Sequence, residues 1–197
     1  MTQIEKQNVP KLRFPEFEGA WDNKPLRCTF EYRNGKAHEN RIIENGQFKL
    51  ITLNSIDING NLKANHHRVA FAEWFLEKDD LVMVLSDVAH GNFLGLVDLI
   101  PSNEEFVLNQ RMGLLRLISP FVDVRFAKTS INRSQKYFKL HGQGSSQLNL
   151  SKGDIQKFTL HLPTLPEQRK IASFLGAVDE RIAQVTRKKA LLEDYKK

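Results

Sequence analysis

The segment from Leu162 to Lys197 constrains this chain most. Ile171, Val178, Val185 and Leu192 recur every seven residues. Phe174, Leu175, Ile182 and Tyr195 widen that apolar stripe to one helical face. Thr164 and Glu167 have the spacing of a capping box, and Pro166 suits a first helical turn. Gly176 weakens the helix, but no proline follows to stop it. Leu165 to Lys197 is 33 residues, which as a helix spans roughly 50 Å. A stripe of that length exceeds what a small domain covers, so a partner helix is expected along Ile171, Phe174, Leu175, Val178, Ile182, Val185 and Leu192. Arg181 and Lys188 fall on the stripe and make the seam imperfect. The competing expectation is a terminal helix folded back on its own domain.

At 197 residues, 41% of them hydrophobic, the chain has room for one ordinary domain plus this appendage. Cys28 is the single cysteine, so no internal disulfide forms, and a reducing cytoplasm is the expected setting. Met1 to Phe14 holds no apolar run of the kind a secretion signal needs, and no segment approaches a membrane span. Charge is unevenly placed. From Phe106 to Lys152, Arg111, Arg116, Arg125, Lys128, Arg133, Lys136, Lys139 and Lys152 face one acid, Asp123. A field of one sign attracts polyanions, nucleic acid first among them.

Taken in order, Val9 to Pro15 reads as an extended arm, since each proline turns its predecessor away from helix. Asn23 is placed to cap a short helix through Leu26 and Phe30, with Pro25 in its first turn. Asn34-Gly35-Lys36 and Asn59-Gly60 read as turns. Phe48–Leu53, Asp80–Ser86, Leu94–Ile100, Phe106–Arg111 and Gly113–Ile118 read as strands. From Phe121 to about Leu140 the period becomes helical. Arg125, Lys128, Asn132, Lys136 and Lys139 then share one basic face of a single helix. His141 to Leu150 is a polar glycine loop, and Asp154 to Leu162 a last strand. The expected fold is α+β: a twisted, largely antiparallel sheet with a few helices over residues 1–162, followed by a long coiled-coil-like helix over 163–197.

The sequence offers no catalytic constellation. It has no nucleotide-binding G-x-x-x-x-G-K-[ST], no Glu-x-Lys pair of a metal-dependent nuclease, and no Asn-Pro-Pro or Asp-Pro-Pro of an amino-methyltransferase. Cys28, beside an aromatic, reads as a core residue rather than a nucleophile. His66 and His67 are adjacent, so on a strand they point to opposite faces and make a poor metal pair. No catalytic residue, metal or cofactor is assigned. Recognition chemistry is better supplied. Arg and Lys bind phosphates and guanine edges, and Asn and Gln read adenine. The candidates for DNA contact are Asn34, Lys36 and Arg41; His90 and Asn92; Arg111; Lys128, Arg133, Lys136 and Lys139; and Gln143, Ser145, Ser146 and Gln147.

Several segments resemble one family. Leu162-Pro163, Leu165-Pro166-Glu167-Gln168, Lys170-Ile171-Ala172 and Phe174-Leu175 are similar to the junction in specificity subunits of type I restriction-modification systems, where a target-recognition domain gives way to a spacer helix. The Val9–Pro15 arm with Phe17 and Trp21, the Asn34-Gly35-Lys36 loop, the Asn109-Gln110 pair, and Gly144, Ser145, Gln147, Asn149 and Leu150 agree with it. The resemblance implies a non-catalytic subunit that chooses a double-stranded DNA sequence. Modification (methyltransferase) and restriction subunits would supply catalysis, with S-adenosylmethionine and ATP bound only there. Family members usually hold two such halves with antiparallel spacer helices. One half is present here, so either a natural half-subunit, homodimeric through its helix, or the N-terminal half of a longer subunit is expected. The competing readings are a stand-alone dimeric DNA-binding regulator and a nuclease whose site is not recognisable.

Overall fold

A computed structural model describes residues 9–88 and 91–195. The strands are β1 (Asp22–Pro25), β2 (Phe30–Asn34), β3 (Phe48–Ile51), β4 (His67–Val69), β5 (Leu81–Val84), β6 (Ser86–Asp87), β7 (Val97–Leu99), β8 (Phe106–Leu108), β9 (Met112–Leu117), β10 (Leu148–Asn149) and β11 (Thr159–Leu162). The helices are α1 (Val124–Asn132), α2 (Gln135–His141), α3 (Lys152–Lys157) and α4 (Leu165–Tyr195).

The domain has three layers, and β5 shows why. All four of its residues are buried, and they alternate between two cores. Leu81 and Met83 pack with Phe126, Ile131, Phe138, Ile155 and Phe158 from the helical side. Val82 and Val84 pack with Ile51, Phe106 and Leu108 from the other side. A four-stranded antiparallel sheet, in the order β2-β9-β5-β7, therefore separates a helical layer from a three-stranded sheet in the order β4-β3-β8. One pairing is parallel, β3 with β8. Two short antiparallel pairs, β1 with β11 and β6 with β10, complete an α+β fold.

Four local expectations change. The residues assigned to a helix capped by Asn23 form strand β1 and a 3-10 turn at Leu26–Cys28, because β11 supplies an antiparallel partner from Asp22 to Pro25. Cys28 is exposed on that turn, while Leu26 and Phe30 on either side enter the core. The single basic helix is two helices, broken at Arg133-Ser134. Asn132 turns its amide onto the backbone of Val97, and Ser134 Oγ donates to the carbonyl of Ser130. The segment expected as a strand from Asp154 is helix α3 as far as Lys157; Ser151 caps it by accepting from the amide of Asp154.

Helix α4 has 31 residues and is roughly 45 Å long. Only its first turns touch the domain. Ile171 and Ala172 pack on the core, and Gln168 ties the root down. The Gln168 amide donates to the carbonyls of Phe121 and Pro163, and its oxygen accepts from the amide of Asp123. Glu167 is fully buried, and both its carboxylate oxygens accept from Arg13 of the arm, at 2.8 and 2.7 Å. Phe14 packs edge-on against Phe174 at 5.7 Å, and Lys170 sits over the Phe14 ring and pairs with Glu16. Beyond that root Val178, Ile182, Val185 and Leu192 are exposed, so the stripe is not folded back on the domain.

Candidate nucleic-acid interface

The strand register collects the polar loops. Asn34 at the end of β2 lies opposite Gly113 at the start of β9. Val84 at the end of β5 lies opposite Met112, and Val97 at the start of β7 lies opposite Met83. The segments 35–41, 85–88 with 91–96, and 109–111 therefore leave the sheet at one end. The fourth, 143–149, is brought to the same end by β10 pairing with β6 and by the amide of Leu150 donating to the carbonyl of Leu85. The opposite end carries Phe30, Leu117 and Leu99, and from there residues 118–123 lead to the root of α4. Polar loops and helix root thus sit at opposite ends of the central sheet.

Within the first group, Lys36 bridges to Asn109, and the amide of Gly35 donates to the carbonyl of Met112. A side chain on Gly35 would place Cβ 2.0 Å from the Asn109 carbonyl oxygen, so only glycine lets this loop lie on the turn before β9. Asn34, Lys36, Arg41 and Arg111 are exposed there. The Lys36 ammonium pairs with Glu73 and holds that carboxyl below its usual range by a hydrogen bond.

In the second group, Lys139 at the end of α2 donates to Asn92 Oδ1 at 2.6 Å. Gln143 pairs with Asn149 through both backbone bonds, and Gln147 donates to Ser86 Oγ and Asn149 Oδ1. Gln147 therefore holds the loop in shape, while Gln143, Ser145 and Ser146 are exposed on it. His90 lies outside the described residues.

The basic helical face divides. Lys136 and Lys139 are exposed on α2. Lys128 on α1 pairs with Asp98 at 2.6 Å, and Arg133 lines a groove beside α4, toward the helix root. Arg116, counted in the basic run, is held by Asp80 and Glu77, whose hydrogen bonds and charge raise its pKa. The basic run is therefore less basic as a surface than as a segment, because acids from residues 77–98 fold against it.

One polar pocket carried no sequence signal beyond its two histidines. Thr52, Asn54, Ser55, Asn65, His66 and His67 line a cavity of about 260 Å³ past the end of β3. Burial, with Lys49 and Arg68 nearby, lowers the pKa of His66, whose ring packs edge-on against Phe106. Among the described residues, no group of three or more His, Cys, Asp or Glu side chains is arranged to hold a metal ion. No helix among them is long and apolar enough to cross a membrane.

These features define a class: a mixed α+β domain with clustered polar loops at one end and an outgoing helix at the other. The family model described as "Type I restriction modification DNA specificity domain" matches residues 19–194, and the chain belongs to that family. Among solved structures it is similar to the type I restriction-modification system S subunit from M. genitalium, with a TM-score of 0.64 and 20% identity over 92% of this chain and 44% of that one. It is also similar to a chain from a structure concerned with complex assembly and conformational transition of the type I R-M system, with a TM-score of 0.69 and 13% identity over 93% and 44%. The HsdS subunit from Thermoanaerobacter tengcongensis gives a TM-score of 0.63 and 13% identity over 92% and 42%. The chain thus spans less than half the length of these proteins, and at such identities the likeness is one of fold. No curated protein matches it.

Proposed function

We propose that this chain selects a double-stranded DNA sequence for a type I restriction-modification complex. Residues 1–162 act as the target-recognition domain and 163–197 as the spacer helix. The observation that carries this reading is the gathering of four polar loops at the sheet end opposite the helix root. Family membership supports it. Asn34, Arg41, Arg111, Asn92, Gln143, Ser145 and Ser146 supply base-edge contacts from those loops, and Lys36, Lys136 and Lys139 supply phosphate contacts. Methyl transfer and cleavage fall to modification and restriction subunits, which bind S-adenosylmethionine and ATP. The exposed stripe on α4 pairs antiparallel with the same helix of a second copy, about a two-fold axis, and sets two recognition domains apart.

Mapping methylated bases in cells that hold this chain with a modification subunit tests the reading. Alanine at Ser145, Ser146 and Arg111, none of which braces the fold, should shift which sites are methylated. Methylation at unchanged sites would contradict it.

A further inference from the structure

The loop end has a neighbour on the second sheet. Strands β3 and β8 run parallel, so Ile51 ends beside Leu108. The amide of Asn109 then donates to the carbonyl of Ile51 at 3.0 Å, and Lys36 bridges to Asn109. Antiparallel β4 begins there too, with His67 opposite Leu50. The pocket lined by Thr52, Asn54, Ser55, Asn65, His66 and His67 therefore lies at the same end of the domain as segments 35–41 and 109–111. Three of its six residues are tied to one another: Ser55 Oγ accepts from the amide of Thr52 at 2.9 Å and lies 3.4 Å from His66 Nδ1. The other three, Asn54, Asn65 and His67, are exposed, and their side chains make no hydrogen bond among the described residues. Each of the six side chains can donate a hydrogen bond, and none of them is a carboxylate. Two acids lie nearby, and both are engaged. Glu105 pairs with Lys49, and Asp57 accepts from the amides of Asn59 and Asn61. Two nearby cations have no such partner among the described residues. Arg68 donates to the backbone carbonyls of Gly46 and Gln47, and Lys63 is held beside the pocket by its amide, which donates to the carbonyl of Ser55.

We propose that this pocket holds a phosphate of the duplex backbone, with Asn54, Asn65 and His67 donating to its oxygens and Lys63 supplying charge. The inference rests on the reading of the loop end as a DNA interface, and it adds a contact outside the loops assigned to base edges. Free donors with cations beside them and no carboxylate among them suit an anion. The same cations favour a phosphate over a base edge, which is neutral. Thr52, Ser55 and His66 brace the pocket from within, so the free donors are presented from a fixed frame. A phosphate held at the end of the second sheet sets the register and orientation of the duplex across the loop end without reading its sequence.

The test has two arms, both on the full chain. In the first, duplex binding is measured across a salt series. Asn54→Ala with Asn65→Ala should weaken binding to all duplexes alike, by about fivefold, with the preferred sites unchanged. Lys63→Ala should lower the slope of log affinity against log salt by about 1. Circular dichroism should match the wild type in both variants, since none of these side chains is bonded within the domain. Unchanged affinity in the double variant would overturn the contact. A changed set of preferred sites would also overturn it, and would make the pocket a reader of bases. In the second arm, inorganic phosphate is titrated into the chain at constant ionic strength while NMR follows the ring resonances of His66 and His67. They should shift with phosphate and not with chloride, and shift less in the double variant. Rings that phosphate leaves unmoved would overturn the anion site. A wild-type chain that binds no duplex at low salt would overturn the reading of the loop end and DNA as the source of the phosphate, and the titration would then decide whether the anion site itself stands.

Discussion

Single residues hold the polar-loop end in shape. Gly95 has a φ of +79°, and a Cβ there would lie 2.3 Å from Cγ of Phe138. Gly95→Ala must push α2 off the sheet and should cost about 1–3 kcal/mol in denaturant unfolding. Lys128 and Asp98 are a second case. Lys128→Ala leaves a mostly buried carboxylate that also accepts from the amide of Leu62. The variant should lose about 1 kcal/mol of stability while binding duplex DNA as well as before. A third case concerns pH. His66 is favoured neutral in the folded chain because burial and the nearby Lys49 and Arg68 lower its pKa. The unfolded chain therefore takes up the proton first. Stability should be intact above about pH 6.5 and fall as pH drops below it, and His66→Gln should flatten that part of the profile. Residue types pointed to recognition, but not to which candidates brace the fold. Nothing in the neighbours of Gln147 or Lys128 announces Ser86 or Asp98 as a partner, because those contacts join segments 61 and 30 residues apart.

Among the elements, α4 was the most legible, since a seven-residue repeat is local and survives without knowledge of the fold. Its partner is a different matter: the structure leaves the stripe from Val178 onward exposed. Val178→Asp with Val185→Asp should give monomers by light scattering while leaving the domain folded. The short elements were less legible. The break between α1 and α2 depends on Asn132 finding Val97. Strand β1 depends on β11, well over a hundred residues away. Helix α3 did have a local signal, the Ser151 cap three residues before Asp154, masked by the apolar run that follows it. The two-helix arrangement also narrows the expected phosphate contacts. Lys136→Ala with Lys139→Ala should weaken binding to all duplexes alike, and with fewer phosphate contacts the loss of affinity between 50 and 200 mM salt should shrink from about tenfold or more. Electrophoretic mobility shifts across that salt range would show it.

For the whole molecule, the order β2-β9-β5-β7 decides where the polar loops gather. It sends three loops, distant in sequence, to one end of a sheet, where the pairing of β10 with β6 adds a fourth, and leaves the other end for the arm, residues 118–123 and the root of α4. Periodicity in a single sequence identifies strands but not their order, so this gathering was out of reach until the register was known. The general α+β class was within reach, because short alternating runs followed by helical periods already imply mixed layers. In the proposed dimer the spacing of the two domains would be a property at this scale, set by a helix roughly 45 Å long, on the order of the 34–36 Å turn of DNA that separates half-sites. The most direct measurement is the sequencing of duplexes that the purified wild-type chain retains from a random pool at low salt. The account predicts enrichment of a two-part palindrome with one fixed gap. A retained pool with no sequence preference would contradict it.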